Sequence, residues 1–368
     1  MKRWAAFLAL SAMMAVAVVP ACSDSDSGVS ADELQPIVDE WAERHAVSDM
    51  AVSVRSPSGA FTSVGYSTGD ETPDDSSLWM IGSITKTLTA ATVLLLVEDG
   101  TLELDVPIER WLPDFRRADE ITLRMLLSHT AGIANDIGPV PDEFVPAALD
   151  MFREPTTVAE NLEVAENSVG DVDLPAQFSY SNPGYVVVGA VIEAATGEAL
   201  ADLQRARIVE PLGLENTYLA WSEPVAEPMV PGELGLPDGM RVPLGSEFVP
   251  AQATWTWAAG GVVSSAGDTA AFFGALFDDL LGPESVEAMK TGLGIVATRW
   301  PDDKDGWFHR GGAFGYLAAA GVSEDGWSVA VLSNRFDVAN MLSYQEEGID
   351  PDPVELIGEL MAHVTAEG

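Results

Sequence analysis

Cysteine is nearly missing from the 368-residue chain: Cys22 stands alone, so no intrachain disulfide and no thiolate zinc cluster can form. Histidine is also scarce, with four residues and no H-x-H or H-E-x-x-H spacing, which argues against an imidazole metal site. Positive charge is the third deficit. Lys and Arg total 18 against 58 Asp and Glu, for a net charge of −40. Such a chain repels phosphate backbones and anionic headgroups, which excludes nucleic acid as a partner and electrostatic adhesion to membranes. Only four lysines occur, and the acidic, lysine-poor balance fits either a salt-rich habitat or a high-GC genome. Hydrophobic residues nevertheless make up 47%, enough for a sizeable core.

The first 22 residues read as an address. Lys2 and Arg3 precede an apolar run from Trp4 to Ala21, a charged n-region followed by an h-region. The run ends at Val19-Pro20-Ala21-Cys22, which resembles a bacterial lipoprotein signal with Cys22 as the lipidated residue; ordinary secretion is the plainer alternative. The expected division is signal peptide 1–22, tether 23–30 and one domain over 31–368, anchored in the cell envelope through lipid on Cys22.

Within that domain, Ala31–Arg44 carries a helical apolar stripe. Met50–Arg55 and Phe61–Tyr66 flank Pro57-Ser58-Gly59 as a hairpin, and Tyr316–Gly321 and Trp327–Ser333 flank Ser323–Gly326 as another. Helices are expected from Ser83 to about Asp99 and over Gly184–Ala195, Ala266–Leu281 and Val354–Val364. Strands at both ends with helices between them predict an α+β fold: an antiparallel sheet built from both termini, with a mostly helical region inserted.

Three stretches carry chemistry. In Ser83-Ile84-Thr85-Lys86, residues three apart on a helix share one face. A serine hydroxyl needs a base, and a lysine depressed toward neutrality by burial can act as one. In Tyr180-Ser181-Asn182, a phenol ahead of a helix can relay a proton, and the amide can hold a substrate or a lysine. In His309-Arg310-Gly311-Gly312, glycine on a strand edge lets a backbone approach, and the Gly312 amide can join that of Ser83 in an oxyanion hole. Taken singly, each has a plainer explanation: an N-cap, a turn, a glycine-rich loop.

Their order along the chain, S-x-x-K then Y-x-N then H-x-G-G, resembles the serine β-lactamase and penicillin-binding-protein superfamily, closest to its class C and D,D-carboxypeptidase-like branch. Flanking text agrees, including Leu126–Ile133, Phe178–Tyr185 and Ala259–Ser265. The resemblance implies the β-lactamase/transpeptidase-like fold, Ser83 as acylated nucleophile, Lys86 and Tyr180 sharing acid and base work, and Asn182 orienting substrate. His309, Arg310, Gly311 and Gly312 would line the substrate, which would be a small peptide, a β-lactam or an ester, and no cofactor or metal is implied. The implied activity is D,D-carboxypeptidase or peptidase, with esterase, class C-type β-lactamase or a catalytically silent penicillin-sensing protein as alternatives. His309 stands where β-lactamases of this class carry Lys. Arg310 replaces a small hydroxyl residue that normally meets a substrate carboxylate; it either clamps a carboxylate or turns its bulk away.

Two further signals are expected to be structural. Gly65-Tyr66-Ser67-Thr68-Gly69 matches G-x-S-x-G but precedes an acidic, non-helical stretch. Trp255 and Trp257, two apart, could line a cleft near Gly260-Gly261, but packing on one face of a strand is the expectation.

Overall fold

Alternating β-branched residues bring the two chain ends together in one sheet. A computed structural model describes residues 29–135, 154–236, 239–337 and 352–366; the leader with Cys22 lies outside them. Helix α1 (Ala31–Arg44) opens on a capping box between Ser30 and Glu33. Strands β1 (Asp49–Arg55) and β2 (Phe61–Ser67) form the first hairpin. After β3 (Trp79–Met80), a 3₁₀ turn at Gly82–Ile84 leads into α2 (Thr85–Glu98). Ser83 thus lies one turn ahead of the regular helix rather than at its first residue.

The middle of the chain supplies α3 (Leu123–Leu127), α4 (Val158–Asn167), α5 (Asn182–Thr196) and α6 (Leu200–Gln204). Helix α5 starts two residues before the expected Gly184 because Ser181 caps it and Pro183 fits its first turn; Gly197 ends it in the left-handed region. Three short strands follow, β4 (Tyr218–Leu219), β5 (Gly232–Gly235) and β6 (Arg241–Leu244), then α7 (Val249–Thr256) and β7 (Val262–Ser264). Trp255 and Trp257 are therefore on a helix and the turn after it, not on a strand. Helix α8 (Ala266–Ala275) gives way at Leu276–Leu280 to a wider π turn, and α9 (Pro283–Lys290) follows.

Strands β8 (Val296–Arg299), β9 (Asp305–Ala313), β10 (Tyr316–Ser323) and β11 (Ser328–Ser333) complete the main sheet, in the order β2-β1-β11-β10-β9-β8. It is antiparallel throughout, with Val52 opposite Val331 joining the two ends of the chain. A short β12 (Arg335–Asp337) pairs with β5, and α10 (Pro353–Ala366) ends the described chain. Alternation along the strands gives the sheet two buried faces. Phe308, Ala319, Val329 and Val331 pack with α1 and α10, while Ala318, Ala320, Ala330 and Leu332 join the larger core with the helical region. The expected α+β architecture is the observed one. Register against β8 stops at Phe308, so β9 from His309 onward runs past that partner toward the turn carrying Ser83.

Candidate active site

Glycine makes the meeting of these segments possible. Gly82 has φ +50°, and a β-carbon there would lie 2.6 Å from the Gly312 carbonyl oxygen. A β-carbon on Gly311 would lie 1.9 Å from the Ile81 oxygen. Strand β9 therefore sits directly against the turn that carries Ser83, and any side chain at these positions would force them apart.

Ser83 is 9% exposed, and Lys86, one turn on, is fully buried. The Lys86 Nζ lies 3.0 Å from Ser83 Oγ, 2.6 Å from Asn182 Oδ1 and 2.7 Å from the Ala259 carbonyl oxygen. The last two atoms only accept. A neutral amine has two hydrogens, which they use up, so its lone pair faces the Ser83 hydroxyl. Burial pushes the Lys86 pKa well below its ordinary value. Ring faces of Tyr180 and Tyr185 lie 4.9 and 5.5 Å from Nζ and favour the cation, but desolvation is the larger effect.

The Tyr180-Ser181-Asn182 turn is held by His129. Its carbonyl accepts from the Ser179 amide at 2.9 Å, and its Nδ1 accepts from the Ser181 amide at 3.1 Å. Its ring stacks against that of Tyr180 at 4.6 Å, and the Tyr180 hydroxyl is buried. Burial first, then the nearby Lys86, lowers the His129 pKa to about 3. The imidazole is neutral, carries its proton on Nε2, and serves as a scaffold. The Asn182 amide donates to Asn135 Oδ1 at 3.0 Å, which fixes the start of α5.

His309 is also buried, with its pKa lowered to about 3 by desolvation and then by Lys86. Its Nδ1 lies 2.6 Å from the Arg310 carbonyl oxygen. A carbonyl cannot donate, so Nδ1 holds the proton and Nε2 keeps its lone pair. Arg310 turns away from this side. Its Nε lies 2.9 and 3.0 Å from the two Asp352 carboxylate oxygens, and its Nη2 lies 2.5 Å from Oδ2.

The Ala259 carbonyl has no side-chain signature and was not legible as a site group, although Ala259-Gly260-Gly261 stood out as a segment. Trp255 packs against the cluster of Leu234, Leu244, Phe314 and Phe336, and it also lines an opening beside Asn182 together with Asn135, Val186 and Thr256. Trp257 packs in the main core: its ring occupies the space a side chain at Gly189 would need. Ser67 closes β2 and donates to Asp49 at 2.6 Å, with no helix following it. Among the described residues, no cluster of three His, Cys, Asp or Glu could hold a metal.

A family model described as Beta-lactamase matches residues 35–347. The chain belongs to the beta-lactamase family. Family relatives include Penicillin-binding protein 4 of Amycolatopsis lactamdurans, 27% identical over 68% of this chain and 66% of that protein. Esterase EstB of Burkholderia gladioli is 31% identical over 46% of this chain and 47% of its own length. The chain therefore spans from about half to just under two thirds of these curated relatives. A D-stereospecific amidohydrolase from Streptomyces sp. shares the fold with TM-score 0.73 and 26% identity, covering 86% of this chain and 98% of that structure.

Proposed function

We propose that this family member is an exported serine hydrolase that opens an amide or ester through an acyl-enzyme on Ser83, with peptide-like amides as its first substrates. The observation that carries this reading is the 3.0 Å contact between Lys86 Nζ and Ser83 Oγ, with the other amine hydrogens committed to Asn182 and Ala259.

The Ser83 hydroxyl attacks the scissile carbonyl as its proton passes to Lys86, directly or through the Tyr180 phenol. Amides of Ser83 and Gly312 receive the oxyanion, each donor worth about 3 kcal/mol. Collapse breaks the C–N or C–O bond, the leaving group takes the proton, and water then attacks the Ser83 ester by the reverse path. Amide cleavage is favoured as a reading by the amidohydrolase neighbour, and the likeness to EstB supports an esterase as the second reading. D,D-carboxypeptidase action and β-lactam hydrolysis are narrower versions of the same chemistry. Export rests on the 1–22 leader, with Cys22 as lipid anchor; the mass of the mature N-terminus tests it, and an unmodified Cys22 would remove the anchor.

A D-Ala-D-Ala peptide, a D-amino acid amide, a short-chain nitrophenyl ester and a chromogenic cephalosporin, assayed side by side, separate these activities. Turnover of at least one, abolished in Ser83→Ala, is the expected result. Acylation of Ser83 without turnover of any would make the chain a penicillin sensor instead, and no acylation would end the hydrolase reading.

A further inference from the structure

Two side chains of β9, those of His309 and Arg310, stand next to the glycines that meet the turn carrying Ser83. Gly312 abuts Gly82, so the strand residues next to it border any group bonded to Ser83. Arg310 is two residues away, about 7 Å along the strand. An arginine there could reach over the strand edge toward an anionic substrate. Instead its guanidinium forks onto Asp352, lies 5.0 Å over the Phe308 ring, and so occupies the face of the sheet that packs α10.

Asp352 is itself fixed. Its Oδ1 accepts from the Val354 amide at 3.1 Å and its carbonyl from the Glu355 amide at 3.0 Å, so it caps α10. Its side chain is 14% exposed and that of Arg310 33%, so the ion pair is partly shielded from water. On the opposite face, His309 presents Nε2 as a lone pair, because Nδ1 donates to the Arg310 carbonyl. A lone pair repels a carboxylate and accepts from an N–H. The charge of −40 over the whole chain opposes anions further.

We infer that the part of a substrate lying along His309–Gly312 is uncharged, an amide or ester end rather than a free carboxylate, and that Asp352 is a specificity-determining residue because it holds the Arg310 guanidinium on the far face of the sheet. This deepens the hydrolase reading and rests on it. Burial keeps the imidazole of His309 neutral across the working range, in line with this assignment.

The test uses matched peptides that differ only in a terminal carboxylate, carboxamide or methyl ester, with Ser83 labelling by a fluorophosphonate run in parallel. The uncharged members should exceed the acid by about tenfold or more in kcat/KM, the discrimination expected when one partner meets no complementary charge. Asp352→Asn removes the charge that the Arg310 guanidinium forks onto, and His309→Lys places a cation on the site face. Each should raise the acid-to-amide ratio at least about threefold while Ser83 still takes the label. If Asp352→Asn melts early, Arg310→Gln tests the same pair: with the guanidinium held on the far face, its loss should leave the acid-to-amide ratio where it is. A labelled enzyme that prefers the acid, an Asp352→Asn or His309→Lys variant whose ratio does not move, or an Arg310→Gln variant whose ratio falls, would overturn this inference and leave the hydrolase reading intact. A Ser83 that takes no label overturns both.

Discussion

The Ile81 carbonyl lies so close to Gly311 that a β-carbon there would stand 1.9 Å from its oxygen. This contact seats β9 against the turn that carries Ser83. Gly311→Ala should therefore destabilise the protein by about 1–3 kcal/mol, as overpacking does. It should also lower kcat/KM, because Gly312 is pushed off the turn that carries Ser83. Chemical denaturation and steady-state kinetics check it; an alanine variant with unchanged stability and activity would mean that the two segments are not in contact.

Lys86 is expected to work as an amine. Its pKa is lowered by burial, so the deprotonated form appears at a pH far below the ordinary lysine value. The acylation rate should rise with pH through that depressed midpoint and then level off. A rate that keeps climbing to about 10.4, the reference lysine value, would contradict this. Lys86→Met should cost about 10²–10⁴ in kcat, the usual worth of general-base catalysis.

Asn182 sets the charge beside that amine, with Oδ1 at 2.6 Å from Nζ. Asn182→Asp puts a full negative charge there and favours the ammonium. The midpoint of the rate profile should move upward by about one to three pH units. A profile that stays in place would show that Lys86 does not control the rate.

The neutral histidines make stability fall in acid. His129 titrates at about 3 in the fold and near 6.5 in the unfolded chain. The unfolded state therefore binds the extra proton below about pH 6.5, and the fold loses stability progressively until about pH 3. At pH 5 the loss from this group is about 2 kcal/mol. His129→Gln, whose amide oxygen can still accept from Ser181, should flatten part of the slope of unfolding free energy between pH 6.5 and 4.5. An unchanged slope would show that His129 takes up its proton in the folded state.

Much of this architecture was legible because it is written in side-chain periodicity. The hairpins around Pro57–Gly59 and Ser323–Gly326 and the helix ended by Gly197 appear where turn chemistry and apolar spacing put them. Ser83, Lys86 and Asn182 were findable because each carries a reactive group at a fixed spacing. Groups that act through the backbone left no such trace. The Ala259 carbonyl that accepts from Lys86 could belong to any residue, and only the fold brings it there. Long-range pairing was equally hidden: the Asp352 that captures Arg310 is 42 residues away in sequence. The strand expected at Trp255 and Trp257 does not form: tryptophans at i and i+2 suit a strand, whereas α7 ends between them and sends them to two different hydrophobic clusters, with Trp255 also bordering the opening beside Asn182.

The most direct measurement is the intact mass of the protein after brief exposure to an activated ester or fluorophosphonate, followed by peptide mapping. One adduct per chain on Ser83 is expected, absent in Ser83→Ala and formed far more slowly in Lys86→Met. Labelling elsewhere, or substrate turnover that survives the loss of the Ser83 hydroxyl, would contradict the assignment of this serine as the nucleophile.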